Sequence, residues 1–182
     1  RVRREIGVRM RPLPSPPLGL GLVTTVRATG RGMVILAGPS SCGKGAVADV
    51  LRRILQIPVE NHLSMGDALR RVAMDRGDSI ARFGISNDSV YDVADPELRE
   101  KAERHRGDFT ARFPRTSQAD WLEYCVSSGL LVPDAWSESI IDGVIAERAS
   151  MPAAVILLDG YPRTEVAARH VIRLCQRLDL PI

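Results

Sequence analysis

The chain has 182 residues, 45% hydrophobic and 26% charged, which suits one globular domain with or without a small appendage. No apolar run approaches the roughly 20 residues that a membrane-spanning helix needs, so the sequence argues against such a helix. The formal net charge of +3 is uneven, because residues 1–32 hold seven Arg and one Glu (+6) and leave −3 for the rest.

Residues 1–32 form a basic stretch rich in proline and glycine, with four prolines between residues 12 and 17. An Arg-rich leader of this kind can be a transit peptide or a nucleic-acid-binding arm, but no amphipathic pattern supports either. The composition predicts a disordered extension over 1–32. Met33, at the start of the first convincing strand, is a candidate translation start.

The first regular elements follow at once. Met33–Ala37 is a short continuous apolar run, typical of a parallel strand covered by helices on both faces. A glycine-rich turn comes next, and then a helix is predicted from Lys44 to before Pro58. Its apolar stripe is expected to comprise Val47, Val50, Leu51, Ile54 and Leu55.

The middle of the chain is less regular. Glu60–Leu63 is a second strand candidate, and a helix is predicted from Gly66 to about Arg76. Gly77–Ala119 is polar and aperiodic, and only a helix with Asp95 as N-cap and Pro96 as its first residue is predicted there.

Regular patterning returns near Asp120–Ser128, a predicted helix, and Asp134 is expected to cap another. Val155–Leu158 is the next buried strand candidate, and Thr164 can cap a last helix. The apolar face of the helix after Asp134 comprises Trp136, Ile140, Ile141, Val144 and Ile145, and that of the last helix Ala168, Val171, Ile172, Cys175 and Leu178. Alternating strands and helices predict an α/β domain with a parallel sheet of about three strands.

The residues between the first strand and its helix match the G-x-x-x-x-G-K pattern of a phosphate-binding P-loop. In such a loop the backbone amides and the helix N-terminus bind phosphate oxygens, and Lys44 supplies a cation for the β- and γ-phosphates. Gly45 stands where the pattern has Ser or Thr to reach Mg²⁺. The predicted ATP-binding residues are Gly38, Pro39, Ser40, Ser41, Cys42, Gly43, Lys44, Gly45 and Ala46.

Two further segments carry candidate phosphate ligands. In His62–Arg70 (HLSMGDALR) a Gly turn opens a helix, and Arg70, one turn along, can place its guanidinium on an acceptor phosphate. In Leu157–Thr164 (LLDGYPRT) Asp159, at the end of a buried strand, can hold Mg²⁺ through water, and Arg163 can bridge two phosphate groups.

Together these segments resemble the adenylate kinase family, whose motifs read G-K-G-T, H-L-S-T-G-D-L-L-R, G-K-L-V-P-D and L-L-D-G-F-P-R-T. Gly129–Asp134 (GLLVPD) resembles the third of these, while Ala46 replaces the usual Thr and Met65 the usual Thr or Ala. The resemblance implies a P-loop NTPase-type fold and a nucleoside monophosphate kinase with ATP as co-substrate and Mg²⁺ as cofactor. It implies catalytic roles for Lys44, Arg70 and Arg163, and acceptor-nucleotide contacts from Ser64, Met65, Gly66, Arg70, Leu131, Val132, Gly160 and Arg163.

The resemblance begins at Met33 and covers the amino-terminal portion of the family domain, with an acceptor region at about 62–133 that includes an insertion before Asp120. The family's lid and late adenine-binding loop have no counterpart in these 182 residues, so weak or no activity is expected. AMP is the first choice of acceptor. CMP or UMP is an alternative, and a catalytically weak or non-enzymatic nucleotide-binding protein is another.

Cys42, Cys125 and Cys175 form neither a disulfide framework nor a metal-spaced pair, which favours a reducing cytoplasm. Cys42 lies inside the predicted phosphate loop, where its oxidation could block ATP; an unreactive thiol that only lines the loop is an equal alternative. The three histidines are scattered and are expected to be structural or solvated. Nucleotides are the expected partners, without nucleic acid or membrane, and the family resemblance favours a monomer.

Overall fold

The computed structural model describes residues 9–12, 26–38, 42–75, 78–151 and 155–182. The strands are β1 (Arg9–Pro12), β2 (Val26–Thr29), β3 (Gly32–Leu36), β4 (His62–Ser64) and β5 (Val155–Asp159). The helices are α1 (Lys44–Ile54), α2 (Met65–Met74), α3 (Asp78–Ala81), α4 (Pro96–Arg104), α5 (Arg106–Arg112), α6 (Gln118–Ser128), α7 (Asp134–Ala149) and α8 (Glu165–Arg177). A short 3-10 turn, Val59–Asn61, precedes β4.

Three strands form a parallel sheet in the order β3-β5-β4. All five residues of the central strand β5 are buried, which agrees with the apolar run Val155–Leu158 that precedes its last residue, Asp159. The prediction of an α/β fold with a parallel sheet of about three strands, flanked by helices, is confirmed. The strand predicted at Glu60–Leu63 is also present, although it begins two residues later.

The sheet is covered on both faces. On one face Ala48 of α1 packs with Val155 and Leu157 of β5, and Val34 and Leu36 of β3 join the same cluster. Because side chains alternate along a strand, Met33 points to the other face, where its sulfur lies 3.7 Å from Sγ of Cys175 on α8. One helix on each face is the arrangement that a continuously apolar strand requires.

The predicted apolar stripe of α1 is wrong in part. Val47 and Val50 are 52% and 56% exposed, and Ala48, which the stripe omitted, is fully buried. Leu51 and Leu55 pack beside Ala48 against the sheet. Apolar residues occur on two adjoining faces of this helix, and the face with the small alanine, which allows close approach to β5, is the one that packs.

A similar shift occurs in α8. Val171 and Cys175 are buried as predicted, but Ile172 is 48% exposed, and Ala167 and Leu174 take its place in the core. The helix is therefore rotated toward the Ala167 side relative to the predicted stripe.

Helix boundaries follow local capping chemistry. Asp95 accepts hydrogen bonds from the amides of Glu97 and Leu98 with Pro96 at the first position, as predicted. Thr164 accepts from the amide of Ala167, as predicted. The helix expected to begin at Asp120 instead begins at Gln118.

The cap of α6 is Ser117, in a reciprocal capping box with Asp120. Oγ of Ser117 accepts from the Asp120 amide, and the Asp120 carboxylate accepts from the Ser117 amide. The early helix start therefore has a local cause.

The segment left largely unassigned by sequence contains α3, α4 and α5. Phe109 of this segment packs against aromatic residues of α6: the rings of Phe109 and Trp121 meet edge to face at 5.1 Å between centroids, and Trp121 stacks on Tyr124 at 5.3 Å. The Tyr124 hydroxyl donates to Asp108 at 2.8 Å. Burial, followed by this hydrogen bond, raises the pKa of Tyr124.

The amino-terminal stretch differs from the predicted disordered extension where it is described. β1 and β2 pair antiparallel. The Ala28 amide donates to the carbonyl of Leu55, and Ala28 packs against the core beside α1. Residues 26–32 thus belong to the folded chain, because this contact with α1 buries part of the strand.

Contacts divide the chain into two compact units, residues 1–65 with 142–182, and residues 66–141. The first unit holds the parallel sheet with α1 and α8, and the second holds α3 to α6. Over the described ranges, no helix combines the length and apolar character needed to cross a bilayer.

Candidate functional site

The carboxyl ends of the three parallel strands lie at one edge of the sheet. Leu36, the last residue of β3, is in register with Asp159, the last residue of β5. Ser64, the last residue of β4, is in register with the same Asp159. Ligands of open α/β sheets bind at this edge. The predicted phosphate loop follows one of these strand ends, and the segments His62–Arg70 and Leu157–Thr164 each run through another.

The loop after β3 leads into α1 through Gly43, whose φ of +83° is a left-handed conformation that favours glycine. A side chain at Gly38 would lie 3.4 Å from Sγ of Cys42 and 3.6 Å from Cδ of Lys44, so the two ends of the loop are close. Nζ of Lys44 donates to Sγ of Cys42 at 3.5 Å. The Lys44 side chain therefore lies beside Gly38 and Cys42, the described residues on either side of the loop.

The N-terminus of α1 suits an anion. Its first turn, which includes Gly45 and Ala46, contains no acidic residue, so the positive end of the helix dipole is not neutralised locally. Gly45 and Ala46 are exposed there. Pro39, Ser40 and Ser41, also predicted to bind ATP, lie outside the described residues.

Asp159 is the buried carboxylate of this edge, with 7% of its surface exposed. Its Oδ1 atom has no hydrogen-bond partner among the described residues. A buried carboxylate oxygen without a donor is costly unless a cation or water serves it. This orphan oxygen fits a Mg²⁺ ion held through water.

The described residues contain no group of three or more His, Cys, Asp or Glu that could hold a metal. Mg²⁺ is often bound by one or two carboxylates together with substrate phosphates and water, and needs no such cage. A single buried carboxylate at the sheet edge is a donor that a Mg²⁺ ion held also by water and phosphate oxygens would fit.

The turn after Asp159 is fixed on both sides. Gly160 has a φ of +78°, and its amide donates to the carbonyl of Leu36 at 3.1 Å, which ties the turn to β3. Nε of Arg163 donates to the carbonyl of Gly160 at 2.9 Å. The exposed guanidinium of Arg163 is thus anchored by one nitrogen close to the buried carboxylate.

The acceptor segment continues from β4 into α2. Ser64 is half-buried at the sheet edge, but Met65 is only 2% exposed, and a Cβ at Gly160 would lie 3.8 Å from the Met65 Cβ. Met65 therefore packs under the Asp159–Arg163 turn. Its predicted contact with an acceptor nucleotide stays a prediction.

Arg70 and Gly66 lie in the second unit. The guanidinium of Arg70 folds back over the start of α2, 3.4 Å from a Cβ position at Gly66, and forms an ion pair with Asp67. Lys44 and Arg163 belong to the first unit, so the convergence of all three cations stays a prediction.

Leu131 and Val132 lie in the segment between α6 and α7, after Gly129, which ends α6 in a left-handed conformation. Leu131 is 48% exposed and Val132 is half-buried. Leu131 is thus accessible to a ligand, as the predicted acceptor contact requires.

Sequence reasoning missed one group beside the site. Tyr161 and His170 are both buried, and the Tyr161 hydroxyl lies 3.0 Å from Nδ1 of His170. Nε2 of His170 lies 2.9 Å from Oδ1 of Asp142. The signal was the tyrosine itself, because its hydroxyl, where the resembled family motif has phenylalanine, needs a buried partner.

No protein-family model matches the chain, and comparison with curated proteins gives no significant match.

Proposed function

We propose that the chain is a nucleoside monophosphate kinase that transfers the γ-phosphoryl group of ATP to a nucleoside monophosphate, with AMP as the first acceptor. The observation that carries this proposal is the shared sheet edge, where Leu36, before the phosphate loop, is in register with Asp159. A phosphate loop and a strand-end carboxylate on adjacent parallel strands are the parts that ATP with Mg²⁺ requires. The motif resemblance supplies the rest.

Phosphoryl transfer needs alignment and positive charge more than covalent chemistry from the protein. In this proposal the α1 amides and Lys44 hold the ATP phosphates. Arg163, anchored through Nε to Gly160, presents its remaining donors to the transferred group. Arg70 binds the acceptor phosphate. Mg²⁺, held near Asp159, would neutralise charge on the phosphate oxygens.

The test is nucleotide affinity in a matched pair of variants. Of the 25 basic residues only two are lysines, Lys44 and Lys101. Lys101 forms an ion pair with Glu97 on α4, away from the phosphate loop in sequence, so Lys101→Met is the control. We expect Lys44→Met to weaken ATP binding about 10- to 100-fold, because it removes a charge-assisted hydrogen bond. Equal affinity of Lys44→Met and wild type would overturn the proposal.

A nucleotide-binding protein without turnover is the second candidate. Ala46 lacks the threonine hydroxyl of the resembled family, and Met65, which replaces the Thr or Ala usual in that family, is buried. Transfer from ATP to AMP, CMP, UMP and GMP distinguishes the candidates. A preference for CMP or UMP identifies the alternative kinase, and ATP binding without transfer to any acceptor identifies the non-enzymatic protein.

A further inference from the structure

We propose that His170 is a positioning residue that holds the Gly160–Arg163 turn through the hydroxyl of Tyr161, with Asp142 fixing the orientation of the imidazole. The role of that turn in binding phosphate rests on the proposed function. The contacts themselves lie wholly in the first unit and do not depend on it.

The Tyr161–His170 contact is buried. Tyr161 is 2% exposed and His170 5% exposed, and the rings meet edge-on at 6.3 Å between centroids. The hydroxyl oxygen and Nδ1 are 3.0 Å apart, a good hydrogen-bond distance. A buried tyrosine hydroxyl without such a partner would be unfavourable, so the tyrosine and the histidine form a matched pair.

Asp142 places a carboxylate beside the other imidazole nitrogen, Nε2. Its Oδ1 lies 2.9 Å from Nε2 of His170, off the line of a directed hydrogen bond, and its Oδ2 accepts from Arg177 at 3.4 Å. A carboxylate beside Nε2 favours the proton on that nitrogen. Nδ1 is then an acceptor, and the Tyr161 hydroxyl donates to it.

The Tyr161–His170 contact holds the Gly160–Arg163 turn at a third point, besides its two ends. Gly160 is tied to β3 through Leu36, and the end of the turn is tied to α8 by the cap of Thr164. Tyr161 lies between these ties, and His170 with Asp142 connects it to α8 and α7. Loosening Tyr161 is expected to free the Gly160–Arg163 segment and with it the Arg163 guanidinium.

Two substitutions of His170 distinguish the roles of its two ring nitrogens. His170→Asn keeps an amide oxygen near the Nδ1 position, whereas His170→Gln places its amide near Nε2 and loses the tyrosine contact. Tyr161→Phe removes the hydroxyl and keeps the ring. Nitrogen-15 NMR of the His170 imidazole should show the Nε2–H tautomer in the wild type, with a shift of Nδ1 in Tyr161→Phe. An Nδ1 signal unchanged by Tyr161→Phe would overturn the proposed contact.

Hydrogen exchange tests the positioning without any nucleotide. In His170→Gln we expect the Gly160 amide to exchange about tenfold faster, while the amide of Leu157 in β5 keeps its wild-type rate. His170→Asn should stay close to the wild type at both amides. The proposal would be overturned if the Gly160 amide exchanged at the same rate in both variants. It would also be overturned if exchange at Gly160 and Leu157 accelerated equally in His170→Gln, because His170 would then contribute only general packing.

ATP affinity tests whether the positioning role of His170 affects the nucleotide binding proposed above. We expect His170→Gln to bind ATP about tenfold more weakly than His170→Asn, because a small displacement of a positioning group is costly. If the wild type does not bind ATP, the proposed function fails, while the exchange and NMR results still decide the role of His170. If ATP binds equally to both variants, the turn does not position a phosphate ligand.

Discussion

Gly43 and Gly160 flank the candidate site in left-handed backbone conformations, with φ of +83° and +78°. Gly43 turns the chain into α1, and Gly160 turns it from β5 toward Arg163. Residues with a Cβ adopt this conformation at a cost, so each glycine is required by its local geometry. At residue scale the shape of the site depends on these two turns as much as on its charged groups.

The first prediction concerns Gly160→Ala. The positive φ should cost about 1–2 kcal/mol of unfolding free energy. The added methyl would also lie 3.6 Å from Nη2 of Arg163 and 3.8 Å from Cβ of Met65, which are ordinary contacts, so backbone strain should dominate. Urea unfolding followed by circular dichroism measures the change.

The control is Gly107→Ala in α5, where a Cβ meets no atom within 4 Å and φ is not positive. Alanine is the better helix former, so this variant should gain about 0.5–1 kcal/mol. A loss of stability in Gly107→Ala equal to that in Gly160→Ala would contradict the assigned backbone strain.

At the scale of elements, short local signals determine where the helices begin. The caps of α4, α6 and α8 each use a side chain one residue before the helix, as Asp95, Ser117 and Thr164 do. These caps satisfy amides that the helix itself leaves without partners. Which face of a helix is buried has a different cause, because packing on the sheet selects Ala48 of α1 and leaves Val47 exposed.

The second prediction is that Ser117→Ala destabilises the chain by about 1 kcal/mol. The substitution removes the acceptor for the Asp120 amide and half of the capping box, and Ser117 is buried. Ser128→Ala, at the exposed end of the same helix, is the control and should change stability by less than about 0.5 kcal/mol. Chemical unfolding of both variants gives the comparison, and similar losses would argue against the cap.

At the scale of the whole molecule, several buried or half-buried weak acids make stability depend on pH in the alkaline range. Burial raises the pKa of the Cys125 thiol to about 12 and raises the pKa of Cys175. Burial is also the main cause of the raised pKa of Tyr91 and Tyr124. In the unfolded chain these groups lose their protons at the ordinary values, near 9.0 for a thiol and 10.0 for a phenol.

The third prediction is that the chain becomes less stable at alkaline pH, because the pKa values of these groups are higher in the folded chain than in the unfolded one. Above about pH 9 the unfolded chain binds fewer protons than the folded one, so the free energy of unfolding falls as pH rises. The contribution of Cys125 is complete below the unfolded pKa and is lost up to about 12. The urea midpoint should therefore decrease between about pH 8 and about pH 10.5.

Cys125→Ala should show a shallower decrease than the wild type over the same range, because the buried thiol no longer titrates. Cys42→Ala is the matched control, since Cys42 is an exposed thiol just before α1. If the wild type and Cys125→Ala have the same pH slope, the raised pKa does not contribute to stability.

Much of the local structure was determined by sequence alone. The apolar run of β5, the cap and proline at the start of α4, and the glycine turn before Lys44 depend on residues within a few positions of each other. The same holds for the candidate site residues, because each motif places its lysine, arginine or carboxylate at a strand end or helix start. Short-range steric and capping preferences suffice for such features.

Tertiary structure decided the rest. The order β3-β5-β4, the register of Leu36 and Ser64 with Asp159, and the burial of Ala48 depend on contacts between distant segments. His170 is the sharpest case, because its partners lie on α7 and on the turn after β5. The sequence around His170 gives no sign of Asp142, and the hydroxyl of Tyr161 indicates only that a buried partner is required. Local preferences give nearly equal energies to several buried helix faces and several side-chain partners, so packing between distant segments decides among them. In this chain that packing brings Asp142, His170 and Tyr161 together.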